Sequence, residues 1–181
     1  RRLARRAGRD LDAAEPKPLS RAGFYRPNEG RRSVPILFYR SMLLAGDVAP
    51  VDALCDALTE RGLSPVPIFV ASLKEPQSAA FVTSELERLD PVAVVTATAF
   101  AAGDGVSFAP GGPPILQAVV ATTRREAWAT SPRGLASADL AMHVVLPELD
   151  GRVLAGAVAF KAPASPQQAI AYTGAMNEPV A

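Results

Sequence analysis

The chain has 181 residues, of which 49% are hydrophobic and 20% charged, and its formal net charge at pH 7 is +1. This length suits one domain, and so small a net charge gives no field for nucleic acid or a membrane surface, so we expect neither as a partner. No apolar run approaches the roughly 20 residues needed to cross a bilayer. A lone cysteine, Cys55, excludes an internal disulfide and suits a reducing compartment, so we expect a cytoplasmic protein.

The two ends of the sequence differ in composition from its middle. Residues 1–12 contain five arginines at helical spacing, which indicates either an anionic partner or the solvated end of a helix. Residues 13–33 hold three prolines and two glycines and are typical of a linker. We therefore divide the chain into a basic helix end and linker (1–33), an α/β domain (34–162) and a C-terminal tail (163–181). Because the first residue is not Met, we expect an internal piece of a longer protein.

Short apolar runs alternate with amphipathic segments from residue 34 onward. Strands are predicted at 34–39, 66–70, 92–96 and 115–120, and helices at 51–60, at 79–89 and around Trp128. Four strands alternating with three helices predict an α/β fold of the flavodoxin or Rossmann type, with a mostly parallel sheet and helices on both faces. Cys55 falls on the apolar side of the first helix, where we expect inert packing.

The remaining elements are predicted from local patterns. Thr123 and Glu126 have the spacing of a capping box at the start of the third helix. The apolar run 141–146 predicts a fifth strand, and 153–160 a final strand for which we consider antiparallel pairing with its neighbour. The stretch 97–114 is rich in glycine and proline and predicts a long, functional or mobile loop.

Ligands of parallel α/β sheets bind beyond the carboxyl ends of the strands. The polar residues that follow the four predicted strands should therefore surround one crevice, which is our first site hypothesis. These residues are Arg40, Ser41, Ser72, Lys74, Thr98 and Thr122.

Several common motifs are absent from the sequence. It contains no G-x-x-x-x-G-K-[ST] phosphate loop, and Gly103-Asp104-Gly105 does not follow a strand as a dinucleotide fingerprint would. One histidine and one cysteine cannot form a tetrahedral structural zinc site. A hydrolase triad is also disfavoured, because no nucleophile-elbow sequence accompanies His143.

The segment 139–152 holds an imidazole and two exposed-turn carboxylates close together, from His143, Glu148 and Asp150. Imidazole and carboxylate groups suit a divalent first-row metal ion, and both can accept protons. Spacing alone also allows a simpler interpretation, in which Glu148 and Asp150 shape a turn and His143 is a hydrogen-bonded core residue.

Six segments resemble one known family. They are Phe38–Ser41, Ala45–Asp47, Ala49–Leu54, Ala97–Phe100, Arg125–Trp128 and, most specifically, Ser137–Arg152. Together they resemble the large subunit of the aerobic cobaltochelatase, the CobN family, over residues 34–161. A weaker similarity reaches the magnesium chelatase large subunit, which shares the Pro-Glu-Leu-Asp-Gly turn; the histidine at position 143 favours cobalt.

The resemblance implies a metal chelatase, a ligase that forms nitrogen–metal bonds. Its substrates would be Co²⁺ and hydrogenobyrinic acid a,c-diamide, a tetrapyrrole of aerobic cobalamin biosynthesis. ATP and Mg²⁺ would be used by an AAA+ ATPase subunit with a metal-binding-type partner, and not bound by this chain. We expect the isolated fragment to be inactive.

Roles for individual residues combine the resemblance, which points to Glu148, with the residue types of the segment 139–152 and with the predicted crevice. Glu148 and His143 are expected to be catalytic, and the same two residues with Asp150 are the candidate metal ligands. The candidate substrate-binding residues are Arg40, Ser41, Thr98 and Thr122. The alternative is a non-catalytic module of such a subunit that binds tetrapyrrole or docks the ATPase.

Overall fold

Seven strands form one sheet in the computed structural model, which describes residues 18–26, 30–99, 111–163 and 175–180. The strands are β1 (Ala22–Phe24), β2 (Ser33–Tyr39), β3 (Ser64–Val70), β4 (Val94–Thr96), β5 (Ile115–Val120), β6 (Val153–Pro163) and β7 (Ala175–Pro179). The helices are α1 (Arg40–Ala45), α2 (Ala49–Glu60), α3 (Pro76–Leu89), α4 (Arg125–Thr130), α5 (Ser137–Leu140) and α6 (Leu146–Leu149), with a π-helical turn (Ala141–Val145) between the last two.

The sheet order is β1-β3-β2-β4-β5-β6-β7. Strands β2 to β6 pair in parallel, whereas β1 and β7 pair antiparallel at the two edges. The parallel part, β3-β2-β4-β5-β6, has the strand order of flavodoxin-like folds. The predicted fold class, a mostly parallel α/β sheet, is therefore confirmed. The edge strands β1 and β7 come from segments that flank the predicted 34–162 unit.

Both faces of the sheet are covered, because successive residues of a strand point to opposite sides. On one face, Ile36 and Phe38 pack with Val51 and Cys55 of α2. On the other, Leu37 packs in a second cluster that includes α3. The central strands are consequently buried on both sides and read as continuous apolar runs in the sequence.

Helix α2 follows the prediction closely. Pro50 lies in its first turn, where a missing N–H costs nothing. Gly62 follows the helix with φ of +73°, a conformation that glycine adopts without steric cost. Cys55 is 7% exposed, and burial raises the pKa of its thiol to about 11. A thiol that stays protonated at neutral pH is a poor nucleophile, which agrees with a packing role.

The predicted strand at 141–146 is wrong, because this run forms the π-helical turn within a helical segment that extends from Ser137 to Leu149. Short apolar runs do not distinguish a strand from a buried helix. The buried residues Asp139, His143 and Pro147 instead recur every four positions, as on one helix face. Pro147 has no N–H for a regular helical bond, and the wider turn lies directly before it.

One smaller prediction, the antiparallel pairing of the 153–160 strand, holds for one neighbour only, and the predicted capping box is wrong. Strand β6 is parallel to its neighbour β5, and only β7 runs antiparallel to it. Helix α4 has Arg124 at its N-cap without a side-chain cap, so Thr123 and Glu126 do not form a capping box. The Thr123 hydroxyl is instead buried without a hydrogen-bond partner.

Some predictions fall outside the described residues. These are the helix at 1–12, most of the 97–114 loop and the first half of the tail. Within the described ranges, none of the helices combines the length and apolar character required to span a membrane.

Candidate functional site

A cavity of about 520 Å³ opens at the carboxyl ends of three parallel strands. Its lining residues come from the end of β2 and from the segments that follow β2, β3 and β4. They are Tyr39, Ser41, Ala71, Ser72, Leu73, Lys74, Thr98 and Ala99. The volume lies within the range of roughly 300–1,000 Å³ typical of small-molecule sites.

The cavity lies at the point where the strand order reverses. From β2 the chain crosses to β3 on one side and then returns to β4 on the other side of β2. The loops after β2 and β4 therefore leave the sheet in opposite directions and open a crevice between them. This position is the one predicted from the sequence, and Ser41, Ser72, Lys74 and Thr98 all line it.

Hydrogen bonds fix the wall of the cavity next to β4. The Thr98 side chain is buried, and its hydroxyl lies 2.8 Å from the hydroxyl of Thr96. The Tyr39 hydroxyl donates to the carbonyl oxygen of Ala99 over 3.1 Å. Burial raises the pKa of Tyr39, so its hydroxyl remains a donor at neutral pH. The wall is thus held by bonds from both β2 and β4.

Two predicted crevice residues do not line the cavity. The Arg40 guanidinium donates to the backbone carbonyls of Ser20 (2.8 Å) and Leu19 (2.9 Å). Thr122 is exposed beyond β5, and its backbone N–H donates to the Asp139 carboxylate over 3.0 Å. Their predicted roles in substrate binding stay predictions, since Arg40 has other partners in this structure and Thr122 lies one strand further along the sheet.

His143 lies on the π-helical turn and is 9% exposed. Its Nδ1 is buried without a hydrogen-bond partner. Burial lowers the pKa of the imidazole, and the negative charge of Asp139 opposes this effect only in part. The ring is therefore neutral at pH 7, with a nitrogen lone pair that can bind a metal ion.

Because the pKa of His143 is lowered in the folded protein, we predict that the protein becomes less stable as the pH falls. The unfolded chain protonates this imidazole near pH 6.5, whereas the folded chain resists protonation until a lower pH. The free energy of unfolding should consequently decrease as the pH falls below about 6.5. Urea titrations at pH 7 and pH 5 would measure this loss. A His143→Gln variant should lose less stability over the same interval, and an equal loss in both proteins would contradict the prediction.

Glu148 and Asp150 lie at the other end of the same helical segment. Glu148 is exposed in α6, whereas the Asp150 carboxylate lies 3.0 Å from Nη2 of the buried Arg152. No three His, Cys, Asp or Glu side chains gather as a metal-binding group anywhere in the described ranges. His143, Glu148 and Asp150 are therefore not brought together as one ligand set, and none of them lines the cavity.

Sequence reasoning missed Arg152 and Gln117. Both are buried, and Arg152 donates to the Gln117 side-chain oxygen over 2.9 Å and to the Thr98 carbonyl over 3.3 Å. Gln117 was a detectable signal, because a polar side chain inside an otherwise apolar central strand requires a buried partner. Nothing in the sequence pattern identified Arg152 as that partner.

The structure is thus an α/β domain of flavodoxin-like topology with a cavity at the carboxyl ends of its parallel strands. A family model described as CobN/Magnesium Chelatase matches residues 2–180. The chain belongs to the CobN/magnesium chelatase family, as its resemblance implied.

Two curated relatives carry the name aerobic cobaltochelatase subunit CobN. The protein from Sinorhizobium sp is 41% identical over 150 residues, covering 80% of this chain and 11% of the relative. The protein from Pseudomonas aeruginosa is 37% identical over 177 residues, covering 85% of this chain and 14% of the relative. This chain thus spans only a small part of the length of these relatives.

A solved structure shares the fold. The catalytic subunit of cobaltochelatase from Mycobacterium tuberculosis superposes with a TM-score of 0.74 at 26% identity. The match covers 96% of this chain and 16% of that subunit. In that solved structure, the matching α/β arrangement is one region of a much larger subunit.

Proposed function

We propose that this chain is part of the large subunit of an ATP-dependent cobaltochelatase. The complete subunit would insert Co²⁺ into hydrogenobyrinic acid a,c-diamide during aerobic cobalamin biosynthesis in the cytoplasm. ATP and Mg²⁺ would be used by a separate AAA+ ATPase with a metal-binding-type partner. This division agrees with the sequence, which contains no phosphate-loop motif. The observation that carries the proposal is the 41% identity to an aerobic cobaltochelatase subunit CobN.

The cavity after β2, β3 and β4 would hold part of the tetrapyrrole. Leu73 and Ala99 offer apolar surface to a macrocycle edge, while Ser41, Ser72 and Lys74 offer hydroxyl groups and an ammonium group. Hydroxyl and ammonium donors are suited to the carboxylate and amide arms of such a ring. The mixed lining supports a ligand that is apolar in its body and polar at its periphery.

The proposed chemistry assigns separate tasks to Glu148 and His143. Two pyrrole protons must leave when Co²⁺ enters, and the exposed Glu148 carboxylate can accept one of them or deliver the ion. The neutral His143 can replace a water molecule on the ion as a transient ligand. Because the described residues do not form a complete ligand set, we expect further ligands from the macrocycle and from other parts of the full subunit.

A cavity-filling variant tests the binding part of the proposal. In the complete subunit, the indole of Ser41→Trp should occupy the cavity and weaken tetrapyrrole binding by roughly tenfold or more. A loss of about 1.4 kcal/mol of binding free energy already corresponds to a tenfold change in affinity. Absorbance titration with hydrogenobyrinic diamide measures the Kd. Leu44→Trp is the matched control, because Leu44 lies on the same helix, is 61% exposed and does not line the cavity. Equal Kd values for both variants would remove the cavity from substrate binding.

A second candidate is a binding module that grips the tetrapyrrole while the chemistry occurs elsewhere in the subunit. One observation favours it: His143 and Glu148 are not among the residues that line the cavity. This candidate predicts that Ser41→Trp weakens binding, whereas changes at Glu148 leave cobalt insertion unaffected. The two candidates are therefore separated by the turnover of a Glu148 variant.

A further inference from the structure

Arg152 is a buried charge next to the candidate site. It is 3% exposed, and its guanidinium has three hydrogen-bond acceptors. Nη1 donates to the Gln117 side-chain oxygen (2.9 Å) and to the Thr98 carbonyl (3.3 Å). Nη2 donates to the Asp150 carboxylate over 3.0 Å. One guanidinium thus joins β5, the segment after β4 and the turn before β6.

Burying this charge is unfavourable unless its contacts compensate. Burial lowers the pKa of Arg152, which reflects the cost of removing the cation from water, and the Asp150 carboxylate partly offsets it. Its Nε is also buried without a partner. Apolar residues of similar volume often replace buried ion pairs without loss of stability. The bridge is therefore better explained by the geometry that it imposes than by stability.

The turn next to Arg152 fixes the backbone of Glu148. The N–H groups of Asp150 and Arg152 both donate to the Pro147 carbonyl, over 3.0 and 3.2 Å, and the Gly151 N–H donates to the Glu148 carbonyl over 3.0 Å. Gly151 has φ of +71°, which lets the chain reverse so tightly that the side chains two positions apart form their ion pair. A planar guanidinium holds such a carboxylate in a defined orientation.

The opposite side of the bridge reaches the cavity. Thr98 lines the cavity, and its carbonyl accepts hydrogen bonds from both Arg152 and the Nε2 of Gln117. The next residue, Ala99, accepts the Tyr39 hydroxyl. The wall of the cavity and the turn that carries Glu148 are consequently connected through a single side chain.

We propose that Arg152 is a positioning residue that sets the Glu148 turn relative to the wall of the cavity. The inference rests on the proposed function, because it gives Arg152 a role only through Glu148. Arg152 itself is not among the residues that line the cavity. Arg152 binds the turn through Asp150 and the wall through Thr98 and Gln117. A tetrapyrrole bound at the wall would therefore lie at a constant distance from the Glu148 carboxylate.

The test uses the complete subunit with its ATPase partners. Arg152→Met should lower kcat for cobalt insertion by roughly 10- to 100-fold, as expected when a reacting group is misplaced by about 1 Å, and leave the tetrapyrrole Kd within about twofold. Arg133→Met is the matched control, because Arg133 is exposed in a surface turn. The kcat of this variant should equal that of the unmodified subunit. A role in folding alone predicts instead a smaller fraction of binding-competent protein with normal kcat per active site.

A double-mutant cycle shows whether Arg152 acts through Glu148. The Glu148→Asp/Arg152→Met protein should be no slower than the slower single variant, because both changes misplace the same carboxylate. Rate losses that multiply would overturn the inference. If Arg152→Met does not fold, Gln117→Met removes the 2.9 Å bond from Arg152 to β5 and the Gln117 bond to the Thr98 carbonyl, so that only the 3.3 Å contact joins Arg152 to the wall, and it should also lower kcat at constant Kd.

The outcomes separate the inference from the proposed function. The positioning role alone is overturned if Arg152→Met has a normal kcat while Glu148→Gln is inactive. If Arg152→Met does not fold, a normal kcat in Gln117→Met has the same meaning. Full turnover of Glu148→Gln overturns the proposed chemistry and the positioning role with it.

Discussion

Glu148→Gln in the complete subunit is expected to lower the rate of cobalt insertion by about 10²–10⁴-fold, the usual contribution of a positioned acid or base. The amide keeps the size of the carboxylate but cannot accept a pyrrole proton or supply a negative ligand to Co²⁺. Because Glu148 does not line the cavity, tetrapyrrole binding should be preserved. Stopped-flow absorbance spectroscopy of the macrocycle would measure the rate of insertion, and absorbance titration without Co²⁺ would measure binding.

Glu87→Gln is the matched control for this experiment. Glu87 is also exposed on a helix, α3, and the change has the same size and charge. Its turnover should equal that of the unmodified subunit. Unchanged turnover in Glu148→Gln itself would remove Glu148 from the mechanism and favour the non-catalytic binding module.

Phe38→Ala is expected to lower the free energy of unfolding by about 3–5 kcal/mol, as for other buried phenylalanines. Phe38 lies in β2, is 0% exposed and packs with residues of α2. Its ring centroid lies 6.0 Å from that of Tyr25 in an edge-on arrangement. Truncation removes buried apolar surface and leaves a cavity that a rigid sheet cannot close. The thermal midpoint should fall by roughly 6–20 °C, from about 2–4 °C per kcal/mol for a chain of this size.

Leu44→Ala provides the comparison, because Leu44 also follows β2 but is 61% exposed. Its effect should stay within about 0.5 kcal/mol, as for most surface substitutions. Thermal unfolding followed by circular dichroism measures both variants. Similar midpoints for the two variants would show that the face of the sheet under α2 is not a cooperative core.

The parallel sheet was predictable because its signals are local and strong. Runs rich in β-branched and aromatic residues, such as Val34–Tyr39, favour a central strand, and helices with one apolar face cover it. The site followed from topology in the same way, since the carboxyl ends of neighbouring parallel strands must meet. Ser41 and Thr98 were placed correctly for this reason.

The remaining features depend on contacts that no local pattern encodes. Arg40 was expected at the crevice, but its guanidinium is used by backbone carbonyls twenty residues earlier in the chain. The run 141–146 is apolar and short, so its periodicity could not separate a strand from a helix, and in the helix Asp139 and His143 are buried. Arg152 required knowledge of which strands are neighbours, because Gln117 lies 35 residues away.

The last strand is joined to the first half of the chain by one buried carboxylate. Asp47, in the loop between α1 and α2, accepts the backbone N–H of Asn177 over 2.8 Å and its side-chain amide over 2.6 Å, and Lys161 lies 3.8 Å away. A chain shortened after β6 would remove both Asn177 bonds from this carboxylate and open an unpaired strand edge to association with other molecules. Recombinant versions of this region should therefore extend through β7, and during translation the sheet can be completed only after that segment has left the ribosome.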